Sequence, residues 1–253
     1  MQKIGIARIS GGGHLKTLTG KGFTLAEVLI TLGIIGIVAA TTLPVLVQKN
    51  NNRVVETRLM KFYSVINQAI LMAEKDYGDK KYWYEDLAGA EIDKDGNVVS
   101  GSSQQEKWFR KYIAPYLKTT KIETIASGSK KGALIVYFPD GSALRTMPGI
   151  MRDWHYFPGN PDKCLNQEGN SIHNVNGKCV FIFSFYPNNT AEGWKYHYNK
   201  GMEPYKVGWD GNIKKLYTGA QYSCSGSEKN YCTAIIQMNG WKIPDDYPYK
   251  VSY

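Results

Sequence analysis

The chain predicts an α+β protein: one very long N-terminal helix followed by a head built on an antiparallel sheet. Three observations carry this. The apolar run from Phe23 to Val47 spans 25 residues without Lys, Arg or Asp, enough for the ~20 residues a bilayer core requires of a helix. A second stretch, to Tyr77, repeats its apolar residues every three or four positions, as one face of a helix does. Beyond Gly78, short β-rich runs separated by Pro-Asp-Gly and Asn-Gly turns replace the helical period.

Taken in order, residues 1–22 form a basic leader with Lys3, Arg8, Lys16, Lys21 and no acid. Cationic flanks stay on the cytoplasmic side of a membrane helix, so the body from Gln48 to Tyr253 faces outward. Losing the leader removes four cations, lowering the formal charge from +9 to +5. The high isoelectric point is therefore partly a targeting feature, and the residual charge weakly favours anionic partners. The leader's Gly13–Lys21 stretch is not a phosphate loop. Its glycines are too far apart, and Gly22 stands where a hydroxyl is needed.

Residues 23–47 carry one acid, Glu27. A carboxylate inside a membrane helix costs up to about 2.5–3.5 kcal/mol, so it calls for a partner. A secretory signal would place a shorter apolar core before its small-residue cleavage site, whereas here Gly22 precedes the run. A plain anchor gives no reason for Glu27. Gly33 and Gly36 suit close helix packing.

The segment KGFTLAEVLITLGIIGIVAATTLP, Lys21 to Pro44, closely resembles the type IV prepilin signature shared by pilins and type II secretion pseudopilins. The resemblance covers about a tenth of the chain. It implies a pilin-like fold, with the first half of the helix building a filament core and the second packing on the head. It also implies cleavage between Gly22 and Phe23 by a prepilin peptidase that N-methylates Phe23. Glu27 would then pair with the amino terminus of a neighbouring subunit. The implied partners are that peptidase, an inner-membrane assembly platform and other pilin or pseudopilin subunits, in a homo- or hetero-polymer. The implied location is the cytoplasmic membrane as a single-pass protein, then a filament in the periplasm or at the cell surface.

Residues 48–77 continue the helix, with Val55, Leu59, Phe62, Ile66, Ala69, Ile70, Ala73 and Tyr77 on one face and Glu56, Arg58, Lys61, Asn67, Glu74 and Lys75 elsewhere. Gly78 is placed to cap it. A helix from Phe23 to Tyr77 has 55 residues and a length of about 80 Å. Pro44 removes one helical hydrogen bond, so a kink is expected there.

Residues 78–253 are long enough for one well-buried head. Ser103-Gln-Gln-Glu106 reads as a capping box opening a helix with Trp108, Tyr112 and Tyr116 at four-residue steps. Ala133–Phe138 and Ser142–Thr146 flank a Pro-Asp-Gly turn, a hairpin pattern. Lys178–Tyr186 is apolar on both faces, as a central strand is, and Tyr231–Met238 is read as a further strand. Residues 85–101 and 147–177 read as loops.

All four cysteines, Cys164, Cys179, Cys224 and Cys232, lie in the outward part, where disulfides persist. Three connectivities exist, and sequence proximity favours Cys164–Cys179 and Cys224–Cys232. Their spacings do not suit zinc. Pilins and pseudopilins often staple the C-terminal part of the head in this way. Asp93-Lys-Asp95-Gly-Asn97 starts like a calcium loop, but its glycine comes too early and Gln104 stands at the twelfth position, so a surface turn is expected. His155, His173 and His197 form no metal or nucleophile motif, and there is no G-x-S-x-G elbow. No catalytic residue, metal or cofactor is assigned. The function expected is a structural subunit. A minor pilin with an adhesive or DNA-binding head is the first alternative, and a membrane-anchored enzyme outside the cytoplasm is the second.

Overall fold

The computed structural model describes residues 23–166 and 172–253. The leader, including Gly22, lies outside the described residues. The chain divides into two compact units, with the boundary after Pro44.

Helix α1 spans Leu25–Tyr77. In the first unit its aliphatic side chains, Leu29, Ile30, Ile34, Ile35 and Ile37 among them, have no protein partner and stand exposed. The hydroxyls here are satisfied within the helix. Thr31 Oγ1 donates to the Val28 carbonyl, Thr41 Oγ1 to Ile37 and Val38, and Thr42 Oγ1 to Val38. Such back-bonding suits apolar surroundings and favours a slight bend. Among the described residues this is the one helix apolar and long enough to cross a membrane. It is assigned as helical through Pro44.

In the second unit the striped part of α1 is the spine of the core. Val55, Leu59, Phe62, Ile66, Ala69, Ile70 and Ala73 are buried. Tyr77, the last of the stripe, stays partly exposed and packs edge-on against Tyr112 at 4.9 Å. The helix ends at Gly78, whose φ of 84° is cheap only for glycine; its N–H donates to the Glu74 carbonyl. Other residues of α1 are tied to the C-terminal part of the head. Gln48 Nε2 donates to Val251 O at 3.1 Å, and Glu56 accepts from Lys242 Nζ at 2.9 Å and from the Ile243 amide at 3.0 Å.

Six antiparallel strands follow one another as a meander, β1 (Lys121–Thr124), β2 (Leu134–Tyr137), β3 (Ala143–Met147), β4 (Ile150–Phe157), β5 (Phe181–Ser184) and β6 (Glu203–Pro204). Leu134, Val136, Leu144, Trp154, Tyr156 and Phe183 share the main core with α1. Phe62 stacks on Tyr156 at 4.3 Å and meets Phe183 edge-on at 5.0 Å. Across the other face the register brings Ile135, Arg145, His155 and Ile182 into one file. Short helices surround the sheet: α2 (Lys80–Trp83), α3 (Gln104–Tyr112), α4 (Pro161–Leu165), α5 (Ile172–Val175), α6 (Ile213–Tyr217) and α7 (Cys232–Met238).

The α+β architecture is as the sequence predicts, with corrections inside the head. Tyr231–Met238 is not a strand: Cys232–Met238 is helix α7. Residues 232–236 are all buried, and a short run apolar on every side has no period to separate strand from helix. Residues 147–177 are not a loop, since they contain β4, the longest strand, with α4 and α5. Arg152, Asp153 and His155 disguise β4 as a polar segment, yet Asp153 and His155 sit inside. At α3, Ser103 Oγ accepts the Glu106 amide at 3.3 Å, but the Glu106 carboxylate does not reach back. It binds Arg110 and Thr124 at 2.8 Å each, tying α3 to β1. Residues 85–101 stay irregular apart from the Ile92–Val98 bridge.

Candidate processing and assembly segment

The start of α1 is built by three residues. Thr24 is its cap: Thr24 Oγ1 accepts the Glu27 amide at 3.2 Å, and the Thr24 carbonyl accepts the Val28 amide at 3.1 Å. Glu27 reciprocates. Its Oε2 accepts both the Thr24 amide and the Thr24 hydroxyl, each at 2.8 Å. This is a complete capping box, in which two orphan amides of the helix start are satisfied by each other's side chains. The carboxylate also sits at the positive end of the helix dipole.

Glu27 therefore has a partner within its own chain, which a reading centred on its charge overlooks. The signal was Thr24-Leu-Ala-Glu27, the T-x-x-E pattern that precedes an apolar run at a helix start. Thr24 is the capping residue that the sequence reading missed. Phe23 stands almost free, 87 % exposed. With Glu27, Val28 and Thr31 it borders one shallow apolar concavity on the helix surface. Further along, a Cβ added at Gly33 or Gly36 would meet nothing within 4 Å, so nothing inside the single chain requires glycine at either position.

The remaining expected residues lie in the head and do not converge on one site. Cys164 on α4 is bonded to Cys179 before β5, around a small second core of Phe157, Ile172, Val175 and Val180. Cys224 is bonded to Cys232 at the start of α7. Gly177, with φ +75°, lies so close to Cys232 and Tyr247 that a Cβ would collide. The calcium-like stretch is a turn closed on itself, Asp93 Oδ1 accepting the amides of Asp95 and Asn97 at 2.9 and 2.8 Å. Among the described residues no three His, Cys, Asp or Glu side chains are grouped to hold a metal ion.

Burial shifts several titratable groups inside the head. Burial pushes Asp153 up to about 6, although Ser184 Oγ donates to it at 2.9 Å. Burial pulls His155 and His197 down to about 3, so both are neutral. His197 uses that neutrality, its Nε2 accepting the Lys206 amide at 3.1 Å.

A capped apolar helix with an acid in its first turn, continued by an amphipathic half seated on an antiparallel sheet, defines a type IV prepilin-like protein. The prokaryotic N-terminal methylation motif matches residues 20–43. The chain belongs to the family of unknown function DUF6613, whose model matches residues 45–251. That match begins where the second compact unit begins. No curated protein and no solved structure matches the chain.

Proposed function

We propose that the chain is a filament subunit, a pilin or pseudopilin. In this reading a prepilin peptidase cuts between Gly22 and Phe23 and methylates the new amino group. The processed chain waits in the cytoplasmic membrane with its head outside, then enters a filament in the periplasm or at the surface with the help of an inner-membrane platform. The observation that carries the reading is the methylation motif at residues 20–43 on a helix whose aliphatic side chains lack protein partners. Such a surface must be covered by lipid before assembly and by neighbouring helices after it. Gly33 and Gly36, unneeded inside the subunit, let those neighbours approach.

Cleavage would leave Glu27 one helical turn from a new ammonium group. Pairing Glu27 with the Phe23 ammonium of an adjacent subunit would satisfy both charges away from water. Mass spectrometry of the mature N-terminus, after co-expression with a prepilin peptidase, tests the processing step. A chain starting at N-methyl-Phe23 is expected. An intact leader, or a cut beyond Val47, would overturn the proposal.

A further inference from the structure

A buried amine in the head, far along the chain from the processing segment, sits in a closed ring of hydrogen bonds. Lys206 follows β6 and is 1 % exposed. Its ammonium would normally be held by a carboxylate, yet its two hydrogen-bond partners are neutral. Nζ donates to Gln237 Oε1 and to Tyr196 Oη, both at 2.7 Å. The Gln237 carboxamide, near the end of α7, is held on its other side by Glu203, whose Oε2 accepts from Nε2 at 3.1 Å. The same Oε2 faces Tyr196 Oη at 3.4 Å, and Tyr63 Oη donates to Oε1 at 2.8 Å. The hydrogen bonds close a ring from Lys206 Nζ to Tyr196 Oη, on to Glu203 Oε2, then to Gln237 Nε2, and back through the carboxamide to Nζ.

We propose that Lys206 and Gln237 join in the folded head as an intramolecular isopeptide bond, with Glu203 and Tyr196 moving the proton. The ring contains each part this reaction needs. Nζ is the nucleophile, held by a hydrogen bond to the oxygen of the carboxamide whose carbon it must reach, and Nε2 is the leaving group. As Nζ bonds to Cδ, a proton leaves Nζ through Tyr196 Oη to Glu203 Oε2 and passes to Nε2. The Cδ–Nε2 bond then breaks and one ammonia departs. Amine and primary amide become secondary amide and ammonia, with no oxidant, cofactor or other reactant. Burial depresses Lys206 to about 8, which raises the share of free amine, the form able to attack. The fold supplies proximity by placing both groups before reaction. The bond would fasten α7 to the sheet beside the Cys224–Cys232 disulfide.

The test is intact mass, then a peptide map, of the purified full chain in detergent after incubation at pH 9. The expected mass falls short of the disulfide-bonded chain by one ammonia. After reduction and trypsin, residues 201–214, uncut after Lys206, should be joined to residues 230–242 in one branched peptide. Glu203→Gln keeps the amine and the carboxamide but removes the proton carrier, and should lose the branched peptide while melting as a folded protein. Full mass with separate peptides from a folded chain overturns the proposal. So does an ammonia loss that maps to Asn176-Gly177 or Asn239-Gly240 instead, where imide formation would give the same mass. If Glu203→Gln fails to fold, the parent's peptide map still decides.

Discussion

Glu27 has two possible duties, and three substitutions separate them. One is to complete the capping box of its own helix through Thr24. The other is to present a negative charge to the amino terminus of an adjacent subunit. Thr24→Ala removes the cap but keeps the charge, and a lost cap costs about 1 kcal/mol, or about fivefold in an equilibrium. Glu27→Gln keeps an oxygen able to accept the Thr24 amide, whose 2.8 Å bond it can reproduce, but discards the charge. If the charge is what assembles the filament, Glu27→Gln leaves a neighbour's ammonium unpaired among apolar helices. That costs up to about 3 kcal/mol, or about a hundredfold. Glu27→Ala loses both. The assay is the fraction of processed subunit recovered in sheared filaments, normalised to the membrane pool, with cleavage checked by mass. Assembly should fall about fivefold in Thr24→Ala and by about two orders of magnitude in Glu27→Gln and Glu27→Ala. If Glu27→Gln assembles like the parent while Thr24→Ala and Glu27→Ala fail together, Glu27 is a cap and the charge-pairing mechanism is wrong.

Three further outcomes follow from the head and the cleavage point. Gly22→Leu, a bulky residue at the proposed cut, should leave the leader attached, read by mass; normal processing would place the cut elsewhere. Opening the Cys224–Cys232 bond by Cys232→Ser should destabilise the head by about 2–5 kcal/mol, seen as a lower urea midpoint for the detergent-solubilised chain. An unchanged midpoint would mean that the closed loop contributes nothing. The pH dependence sets two histidines against one acid. His155 and His197 titrate at about 3 when folded and near 6.5 when unfolded, so the unfolded chain binds more protons between those values and stability drains as pH falls. Asp153, at about 6 when folded against about 3.9 unfolded, works in the opposite direction between pH 6 and 4. Stability should decline by about 1–2 kcal/mol per pH unit near pH 5, and Asp153→Asn should steepen that decline by about 1. An unchanged slope near pH 5 in Asp153→Asn would show that the carboxyl is not protonated in the fold.

What the sequence disclosed and what it hid divide along a physical line. The helix was legible because its periods are long. A 25-residue apolar run without Lys, Arg or Asp, and then a stripe in which seven of eight positions prove to be buried, leave little room for another structure. The β2–β3 hairpin was legible because a turn residue fixes it locally, the Asp140 carboxylate accepting both the amide and the hydroxyl of Ser142. Strand β4 was hidden because the alternation rule presumes that polar residues face water. In Arg152-Asp153-Trp154-His155 the alternate residues Asp153 and His155 lie on the face away from α1 and are enclosed there, Asp153 bonded to Ser184 and His155 forced neutral. Helix α7 was hidden for the converse reason: buried on every side, its residues lack the polar face that reveals a helix. At the processing segment the acid was conspicuous and its cap was not. A lone carboxylate in an apolar run demands explanation, whereas a threonine three residues earlier looks like any other small polar residue. The T-x-x-E spacing carried the signal, and the geometry shows Thr24 answering Glu27 within the chain. In the proposed mechanism, entry into a filament therefore exchanges one satisfied state of Glu27 for another, and does not rescue a stranded charge. The free energy that drives assembly is then the difference between cap and ion pair, together with the burial of the exposed aliphatic helix, rather than the full cost of a carboxylate in lipid.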